Sequence, residues 1–331
     1  MPGKTPHIAQ PSRRAFLRRL TCSLMGALGT GALGLAFWDR RGPSPAVVAP
    51  TSDPLPDFRL PEKGGRLAIV HGADRGQTLA AALHALGGLG GFIRPGDRVL
   101  LKVNAAFATP PMLGATTHPD LVTHMIRLCL EAGAGRVDVT DNPINDPASC
   151  FELTGIGPAA RRAGARVVLP TEDRFESYSM TGGRLIVRWP VLTRPLREVD
   201  KLIGLAPVKD HHRSGASLTM KNWYGLLGGR RNIFHQQIHA VITELAMLAR
   251  PTLVILDGTT SMMTNGPTGG SLDDLKDTHT MIAGTDAVAV DSVGAGLLGR
   301  SVDDLPYLRM AAEAGLGTVD YRSVSKGAPS L

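Results

Sequence analysis

The chain alternates between short apolar runs and longer segments with helical periodicity. The apolar runs have the length and composition of buried strands, and they are Leu67–His71, Arg98–Val103, Arg136–Thr140, Arg166–Leu169, Leu185–Trp189, Lys201–Ala206, Leu253–Leu256 and Thr280–Ala283. Apolar residues recur at helical spacing in Thr78–Leu86, Pro119–Ala132, Pro158–Ala163, His235–Leu248, Ala287–Leu298 and Val302–Ala314. Strands that alternate with helices form parallel βαβ units. We therefore predict an α/β fold, a mostly parallel sheet with flanking helices and a small antiparallel hairpin or edge around Leu185–Trp189.

The first 41 residues follow a different pattern, in which basic residues precede a long apolar run. The segment Ser12-Arg13-Arg14-Ala15-Phe16-Leu17-Arg18 contains adjacent arginines, and the run from Leu20 to Trp38 has no charged side chain. This order is typical of an export signal, and the arginine pair indicates the twin-arginine route. The alternative is a basic tail beside a short core helix, but such a helix would carry polar positions at helical spacing. We predict that the twin-arginine translocation machinery exports the chain to the periplasm or the outer face of the inner membrane.

The sequence leaves open whether the signal is removed after export. Val47-Val48-Ala49 resembles a small-residue cleavage site, but Pro50 follows it and disfavours cleavage. The apolar run is close to the ~20 residues that span a bilayer, so the segment could stay as an N-terminal membrane anchor. We predict a signal or anchor over residues 1–41, a linker rich in Pro and Ser over 42–61, and an α/β domain over 62–320.

Most of the positive charge lies in the export signal. The whole chain has a net charge of +7, and residues 1–41 hold seven Lys and Arg against one Asp. A nucleic-acid-binding domain keeps its excess of basic residues in the folded part, so we predict no nucleic-acid partner. The three cysteines include no C-x-x-C pair, which argues against a cysteine-bound iron–sulfur cluster and against a four-thiolate zinc site.

Charged and amide side chains gather where the predicted strands end. Five strands end in or lead to such residues, which are Lys102 and Asn104, Asp141, Lys209 and His211, Asp257, and Asp286. The carboxyl ends of the strands of an open α/β sheet border the binding crevice, and we expect these side chains to meet there. The alternative for each aspartate is a turn residue or a helix cap.

Two charged residues lie in apolar surroundings and need a partner. Lys102 is inside the run Val99–Val103, and Asp291 lies in the apolar segment Val288–Val293. Because an unpaired buried charge costs several kcal/mol, Lys102 should have a partner in the protein or in a ligand. Asp291 should pair with a base or a metal, or stay protonated, and a purely structural ion pair is an equally consistent alternative.

Three further segments contain residues that can bind ligands. One is Lys221-Asn222-Trp223-Tyr224-Gly225, and another is Asn265-Gly266-Pro267-Thr268-Gly269-Gly270, a loop whose N–H groups could hold an anion. That loop has no Lys-Ser/Thr of a P-loop, so a nucleotide site is not supported. His235 and His239 are placed at i and i+4, a spacing that suits a metal, although a polar helix face is the more ordinary interpretation.

With these residues in view, the chain resembles the DUF362 family, whose function is unknown. The matching segments occur in the family's order between residues 97 and 317, and they are Leu101–Asn104, Thr117–Pro119, Asp141–Pro143, Pro207–His211, Lys221–Gly225, Asp257-Gly258, Asn265–Pro267 and Ala283–Asp291. Many similar proteins also carry ferredoxin-type cysteine clusters, which this chain lacks, so an electron-transfer role gains no support. The resemblance implies which residues form the site, and it supplies no reaction.

The favoured hypothesis is an enzyme that acts on a small carboxylate or phosphate. Its catalytic residues would be Lys102, Lys209, His211, Lys221 and Asp291, and its substrate-binding residues would be Asn104, Asp141, Asn222, Asn265 and Gly266. His211 is a candidate acid–base group because an ordinary histidine titrates near neutral pH. A divalent metal could assist, held by Asp257, Asp286 and Asp291. The alternatives are a non-catalytic periplasmic protein that binds a metal or an organic anion, and a cofactor-bearing redox-associated protein.

Overall fold

The computed structural model describes residues 12–36 and 53–325. The first of these ranges contains a long helix, α1 (Arg13–Ala36), which begins at the arginine pair. Across both ranges, no helix combines the length and the apolar character needed to cross a membrane. The predicted cleavage site at Val47–Ala49 lies outside the described residues, as does the first part of the predicted linker.

Residues 53–325 form an α/β unit around an eight-stranded mixed sheet. The strands, in chain order, are β1 (Leu67–His71), β2 (Arg98–Lys102), β3 (Arg136–Thr140), β4 (Arg166–Val167), β5 (Phe175–Tyr178), β6 (Trp189–Leu192), β7 (Lys201–His211), β8 (Gly215–Ser217), β9 (Leu253–Met262) and β10 (Leu275–Gly284). The order across the sheet is β1-β10-β9-β7-β2-β3-β4, with β8 paired to β7. The adjacent strands β9, β7, β2, β3 and β4 run parallel to one another. The strands β1, β8 and β10 are antiparallel to the strands that they pair with. The predicted α/β fold with a mostly parallel sheet is confirmed.

Helices cover both faces of this sheet. They are α2 (Arg75–Ala85), α3 (Pro119–Glu131), α4 (Pro147–Leu153), α5 (Ile156–Arg162), α6 (Arg194–Arg197), α7 (Thr219–Asn222), α8 (Ile238–Leu248), α9 (Ala287–Leu297) and α10 (Pro306–Glu313). One core contains residues of α2 to α5, and the other contains residues of α7 to α10. Successive strand residues point to opposite faces, so Leu100 and Leu101 of β2 enter different cores. We call the two sides the α2/α3 face and the α8/α9 face.

A small antiparallel sheet is present, but it lies beside the position that the sequence predicts. β5 pairs with β6, with Tyr178 opposite Trp189, so the predicted strand Leu185–Trp189 is wrong in its boundaries. The backbone N–H groups of Arg184, Leu185 and Ile186 instead donate to the Glu244 carboxylate of α8 at 2.6–3.1 Å. These groups are satisfied by a side chain and do not need a partner strand.

Three strands extend beyond the apolar runs that predict them. β7 continues to His211, β9 continues to Met262, and β10 begins at Leu275. Near the end of β7, Lys209 lies opposite both Ser217 of β8 and Met262 of β9, after a shift in register. Because the added residues include polar ones and follow an irregularity, hydrophobic alternation does not reveal them. Lys209 and His211 are therefore part of the sheet itself.

Candidate functional site

A buried ion pair joins the ends of β2 and β3. Lys102, the last residue of β2, is 1% exposed, and its Nζ lies 2.7 Å from Asp141 Oδ1. The same Nζ donates to the backbone carbonyl of Asn222 at 2.8 Å, and Asp141 Oδ2 accepts the Ala105 N–H at 2.6 Å. Burial lowers the pKa of Lys102, and the Asp141 carboxylate opposes that shift. Lys102 thus has the partner that its apolar surroundings require.

The Lys221–Gly225 motif packs directly against this ion pair. Gly225 lies so close that a Cβ there would overlap Asp141 Oδ1 and come within 2.8 Å of Lys102 Nζ. The Asn222 side-chain Nδ2 donates to the carbonyls of Lys102 at 3.3 Å and Leu205 at 3.1 Å. The motif therefore links β2 to β7, and residue 225 must be glycine because only backbone fits beside the carboxylate.

Lys209, near the end of β7, is a second buried lysine. It is 1% exposed, and no carboxylate forms a salt bridge with it in the described part of the chain. Its Nζ donates to the carbonyls of Ala115 and Pro267, the latter at 3.3 Å, and lies 5.2 Å from the centre of the Phe107 ring. Burial and the charge of Lys221 lower the pKa of Lys209 to about 7.

Lys221, from α7, is the third buried lysine of this region. It is 8% exposed, and its Nζ lies 5.1 Å from the centre of the Tyr224 ring. No described residue forms a hydrogen bond or a salt bridge with this ammonium group. Burial and the charge of Arg231 lower the pKa of Lys221 to about 7. Arg231 is held by backbone carbonyls, including Asn142 O at 2.7 Å.

We call the four cations Lys102, Lys209, Lys221 and Arg231 the lysine cluster. Their charges act on one another, because Lys221 and Lys102 both lower the pKa of Lys209, and Arg231 lowers that of Lys221. Among the described residues, Asp141 is the one carboxylate that pairs with a member of the cluster. When protonated, the cluster has an excess of positive charge in a site shielded from water. That is the electrostatic environment of an anion-binding site.

Three imidazole rings stack beside the lysine cluster. The centre of the His211 ring lies 5.1 Å from that of His212 and 5.9 Å from that of His235, in nearly parallel planes. His211 Nδ1 accepts two backbone N–H groups of the following turn at 3.2 and 3.3 Å, so the neutral ring carries its proton on Nε2. Burial and the charge of Lys221 lower the pKa of His211 to about 2. His211 is therefore a neutral hydrogen-bond donor, and it lacks the ordinary pKa on which its predicted acid–base role depends.

Asp286 and Asp291 accept backbone N–H groups at the starts of helices. Asp286 is the N-cap of α9, and its second carboxylate oxygen accepts the Thr318 N–H at 2.9 Å. Asp291 is 0% exposed and accepts the N–H groups of Thr219 and Met220 at 2.8 and 2.9 Å, where α7 begins. Burial raises the pKa of both aspartates, that of Asp291 to about 7. Asp286 thus has the capping contact that is its alternative to a metal site. Asp291 also binds backbone N–H groups, and no described base forms the ion pair that is its predicted alternative.

The three predicted metal ligands do not form a common site. Asp257 Oδ2 lies 2.9 Å from Arg75 Nε, and Asp257 Oδ1 accepts the Thr259 N–H at 2.9 Å. Asp286 and Asp291 make the capping contacts described above. Within residues 12–36 and 53–325, no group of three or more His, Cys, Asp or Glu side chains is placed to hold a metal ion. The aspartates are engaged with a guanidinium and with main-chain N–H groups instead.

The two histidines of the predicted i and i+4 pair make different contacts. His235 and His239 stack on different aromatic rings. A 3₁₀ helix over Arg231–Gln237 precedes α8, so the two histidines do not share one α-helical face as their spacing suggests. Cys129 and Cys150 are both buried and unpaired.

The remaining predicted ligand-binding residues take part in local hydrogen bonds. Asn104 Oδ1 accepts a backbone N–H of its own loop at 3.4 Å, and Asn265 Nδ2 donates to Asp274 Oδ1 at 2.6 Å. The Gly266 N–H donates to a carboxylate at 3.2 Å. The loop nevertheless borders the lysine cluster, because the adjacent Pro267 carbonyl accepts a hydrogen bond from it.

The predicted site omits Arg231 and Arg75, and the sequence suggests His235 only as a possible metal ligand. Arg231 reaches the loop after β3 through a contact between residues 89 positions apart, and Arg75 reaches Asp257 across 182 positions. Such pairings leave no local signal. The one available hint for Arg231 is its place two residues after Gly228-Gly229, which follow the Lys221–Gly225 motif.

Several known proteins are similar to this chain. A thylakoid-associated protein of Synechocystis sp. is 28% identical over 249 residues, which are 72% of this chain and 74% of that protein. The lactate racemase apoprotein from Thermoanaerobacterium thermosaccharolyticum aligns with 13% identity and a TM-score of 0.40, over 74% of this chain and 58% of that chain. A protein from Thermotoga maritima aligns with 10% identity and a TM-score of 0.33, over 72% and 57% of the two chains. This chain thus spans less than two thirds of the length of either solved protein.

A family match covers the part of the chain that contains the lysine cluster. Residues 99–296 match the family described as "Domain of unknown function (DUF362)". This range is more than half of the chain, and it begins just before Lys102 and ends just after Asp291. The chain therefore belongs to the DUF362 family.

Proposed function

We propose that the chain binds a small organic anion, a carboxylate or a phosphate, at the lysine cluster and acts on it as an enzyme. The observation that carries this proposal is the cluster itself, in which three buried lysines and Arg231 are balanced by Asp141 alone among the described residues. Burying a charge without a counter-charge is costly. Either the lysines lose their protons, or an anionic ligand supplies the missing charge.

The members of the cluster divide into fixed and free cations. The ammonium group of Lys102 is saturated by Asp141 and backbone carbonyls, and both terminal nitrogens of Arg231 donate to backbone carbonyls. These two cations therefore add positive charge to the site, while direct contact with an anion falls to the other two. Lys221 makes no such bond to a described residue, and its pKa of about 7 lets it exist as amine or ammonium at neutral pH. A group with such a pKa transfers protons efficiently. We assign Lys221 as the acid–base group and Lys209 as a second anion-binding group.

Binding at such a site is coupled to protonation. An anion favours the charged forms of Lys209 and Lys221, whose pKa values are about 7 without it. The affinity is therefore highest below pH 7 and falls as the pH rises above it. Above that pH, binding takes up protons from the buffer, which calorimetry in buffers of different ionisation enthalpy measures directly.

Titration calorimetry with phosphate, pyrophosphate, succinate and citrate tests the proposal. We expect saturable binding of at least one of these anions, weakened about tenfold or more in Lys221→Met because one charge contact is lost. Lys276→Met is the matched control, since Lys276 is exposed on β10 and lies outside the cluster. Equal affinities in the wild type and Lys221→Met, or no binding below pH 7, would contradict an anion site.

Turnover separates an enzyme from a binding protein. Incubation of the bound anion with the wild type, followed by NMR, should show a product that Lys221→Met does not form. Tight binding without any product would instead favour the non-catalytic periplasmic binding protein that the sequence leaves open.

We also propose that the protein works in the periplasm or on the outer face of the inner membrane. The support is the order of basic and apolar residues in the first 41 positions and the start of α1 at the arginine pair. The similar cyanobacterial protein is named as thylakoid-associated, which agrees with a place near a membrane. A retained signal would supply the membrane contact.

A further inference from the structure

A polar cavity lies beside Pro207 in the middle of β7 and Asp257 in the middle of β9. Its volume is about 130 Å³, and its lining includes Arg75, Thr116, His118 and Asp257. Every second residue of a strand points to the same face of the sheet. Asp257 therefore points to the α2/α3 face with Leu253 and Ile255. Lys102 points to the α8/α9 face with Leu100. The cavity is therefore on the opposite side of the sheet from the buried Lys102 side chain.

The cavity contains a guanidinium fork that is only partly used. Arg75 donates through Nε to Asp257 Oδ2 at 2.9 Å, and its two terminal nitrogens form no hydrogen bond with any described residue. Those nitrogens have the geometry that binds a carboxylate with two parallel hydrogen bonds. Asp257 neutralises the guanidinium and fixes its position through Nε. The two terminal nitrogens remain available to bind a ligand.

The N-termini of two helices and a neutral imidazole ring supply further hydrogen-bond donors on the same side of the sheet. Arg75 is the first residue of α2, and His118 is the N-cap of α3, so both helix N-termini border the cavity. His118 Nδ1 accepts the Asp120 N–H at 3.3 Å, which leaves the proton of the neutral ring on Nε2. Burial and the charge of Arg75 lower the pKa of His118 and so favour that neutral form. Helix N-termini favour negative charge.

An independent observation at this cavity is a buried hydroxyl without a partner. Thr116 is 3% exposed and lines the cavity, and its Oγ1 has no hydrogen-bond partner among the described residues. A buried polar atom of this kind is costly unless a ligand or water completes it. The same segment separates the two sites, because the Ala115 carbonyl accepts from Lys209 while Thr116 faces the cavity.

The apolar part of the lining and the volume define the ligand. Apolar surface in the cavity comes from Pro111, Met112, Pro207 and Leu275. We propose that this cavity is a second ligand site, which binds a short aliphatic carboxylate. The carboxylate lies on the Arg75 fork, Thr116 Oγ1 and His118 Nε2, and the alkyl chain lies against Met112 and Leu275. The volume is slightly below that of a cavity that holds benzene, so only a few carbon atoms fit.

Calorimetry of the purified full-length protein with acetate, propionate and butyrate tests this site. The affinity should rise about fourfold for each added methylene until the cavity is filled. Thr116→Val keeps the shape but removes the hydroxyl, and it should weaken butyrate binding about fivefold. Arg75→Lys keeps the charge but removes the fork, and it should weaken binding about tenfold.

The lysine cluster provides the control for this experiment. Lys221→Met should leave butyrate binding unchanged, and Thr116→Val should leave phosphate or citrate binding at the lysine cluster unchanged. Failure of one site therefore does not imply failure of the other. The proposal is overturned if butyrate does not saturate the protein, if affinity is independent of chain length, or if Lys221→Met removes butyrate binding while Thr116→Val and Arg75→Lys do not.

Discussion

Gly225 is the residue through which the Lys221–Gly225 motif contacts the buried ion pair. Its backbone occupies the space beside Asp141 and Lys102, where a Cβ would overlap the carboxylate oxygen. Close approach of backbone to a charged pair is a use of glycine that no other residue can replace. The motif thus depends on glycine for packing as much as on lysine for charge.

We predict that Gly225→Ala lowers the free energy of unfolding by about 1–3 kcal/mol, because the methyl group displaces Asp141 from Lys102. Chemical denaturation measures this change, and anion binding should weaken in the same variant. Gly296→Ala is the control, since nothing lies within 4 Å of a Cβ there and position 296 is in α9. That variant should be unchanged or slightly more stable. Equal stabilities of the two variants would refute the close packing.

Lys221 illustrates a conflict between binding and stability within one residue. Its folded-state pKa is lowered to about 7, whereas the unfolded chain keeps the ordinary value near 10.4. The unfolded state therefore binds more protons between these values, and the native state gains stability as the pH rises from about 7 to about 10. Below pH 7 the native protein must bury a charged lysine.

We predict that Lys221→Met is more stable than the wild type at about pH 6, by a few degrees in Tm, because methionine fills the site without a charge. The difference should shrink as the pH rises toward about 10, where the wild-type lysine is neutral when folded. Thermal unfolding across this pH range measures it, with Lys276→Met as the exposed control. A difference that does not change with pH would show that the lysine is not buried in its charged form.

At the level of elements, α7 is a short helix whose start depends on another helix. Leu218 precedes it and offers no side-chain cap. Asp291 of α9 accepts the N–H groups of Thr219 and Met220 in its place, across 72 and 71 positions. Since α7 carries Lys221 and Asn222, this contact helps to place these two residues. Asp291 is thus a positioning residue, which explains a carboxylate on an otherwise apolar helix.

We predict that the stability advantage of the wild type over Asp291→Asn falls as the pH rises from about 4 to about 7. The pKa of Asp291 is raised to about 7 in the folded state, whereas the unfolded chain keeps a pKa near 3.9. Asp291 therefore contributes to the free energy of unfolding below about pH 3.9, and this contribution is lost as the pH rises through 7. Melting curves of both proteins should converge by about 2 °C or more over this range.

Binding and metal content distinguish this positioning role from metal coordination. Asp291→Asn keeps one carbonyl acceptor for α7, so anion affinity should fall only a few fold at low pH. A divalent metal in the wild type that is lost from Asp291→Asn would contradict the role as a cap.

At the scale of the whole molecule, the charge is divided unequally between two regions of the chain. The N-terminal 41 residues carry nearly all of the net positive charge, while the α/β unit is nearly neutral and concentrates buried cations at one site. On the proposals above, export and ligand binding depend on separate sets of basic residues. Substitutions in one set should not change the other activity.

We predict that Arg13→Lys with Arg14→Lys retains the full-length chain in the cytoplasm, because the twin-arginine route requires the arginine pair and not simply positive charge. Cell fractionation and immunoblotting measure the distribution. Arg18→Lys with Arg19→Lys is the matched control, with the same charge and the same number of changes. Export that survives the first substitution, or fails equally in both, would argue against the twin-arginine route.

Local sequence patterns were enough to predict the α/β class and the positions of most strands. β1 and β3 have the bounds that their apolar runs predict, and α3 and α9 differ from their predictions by one residue. The buried position of Lys102 also followed from its apolar neighbours. Periodicity and burial patterns are local properties, so adjacent residues are enough to reveal them.

Which polar residues pair with one another is visible only in the folded chain. The sequence placed the aspartates and lysines at strand ends, but it did not show that Asp141 pairs with Lys102, that Asp291 caps α7, or that Asp257 pairs with Arg75. These contacts join residues far apart in the chain, and a carboxylate at a strand end has the same local pattern whether it meets a lysine, an arginine or a helix start. Only the folded arrangement of the sheet and its helices distinguishes these partners.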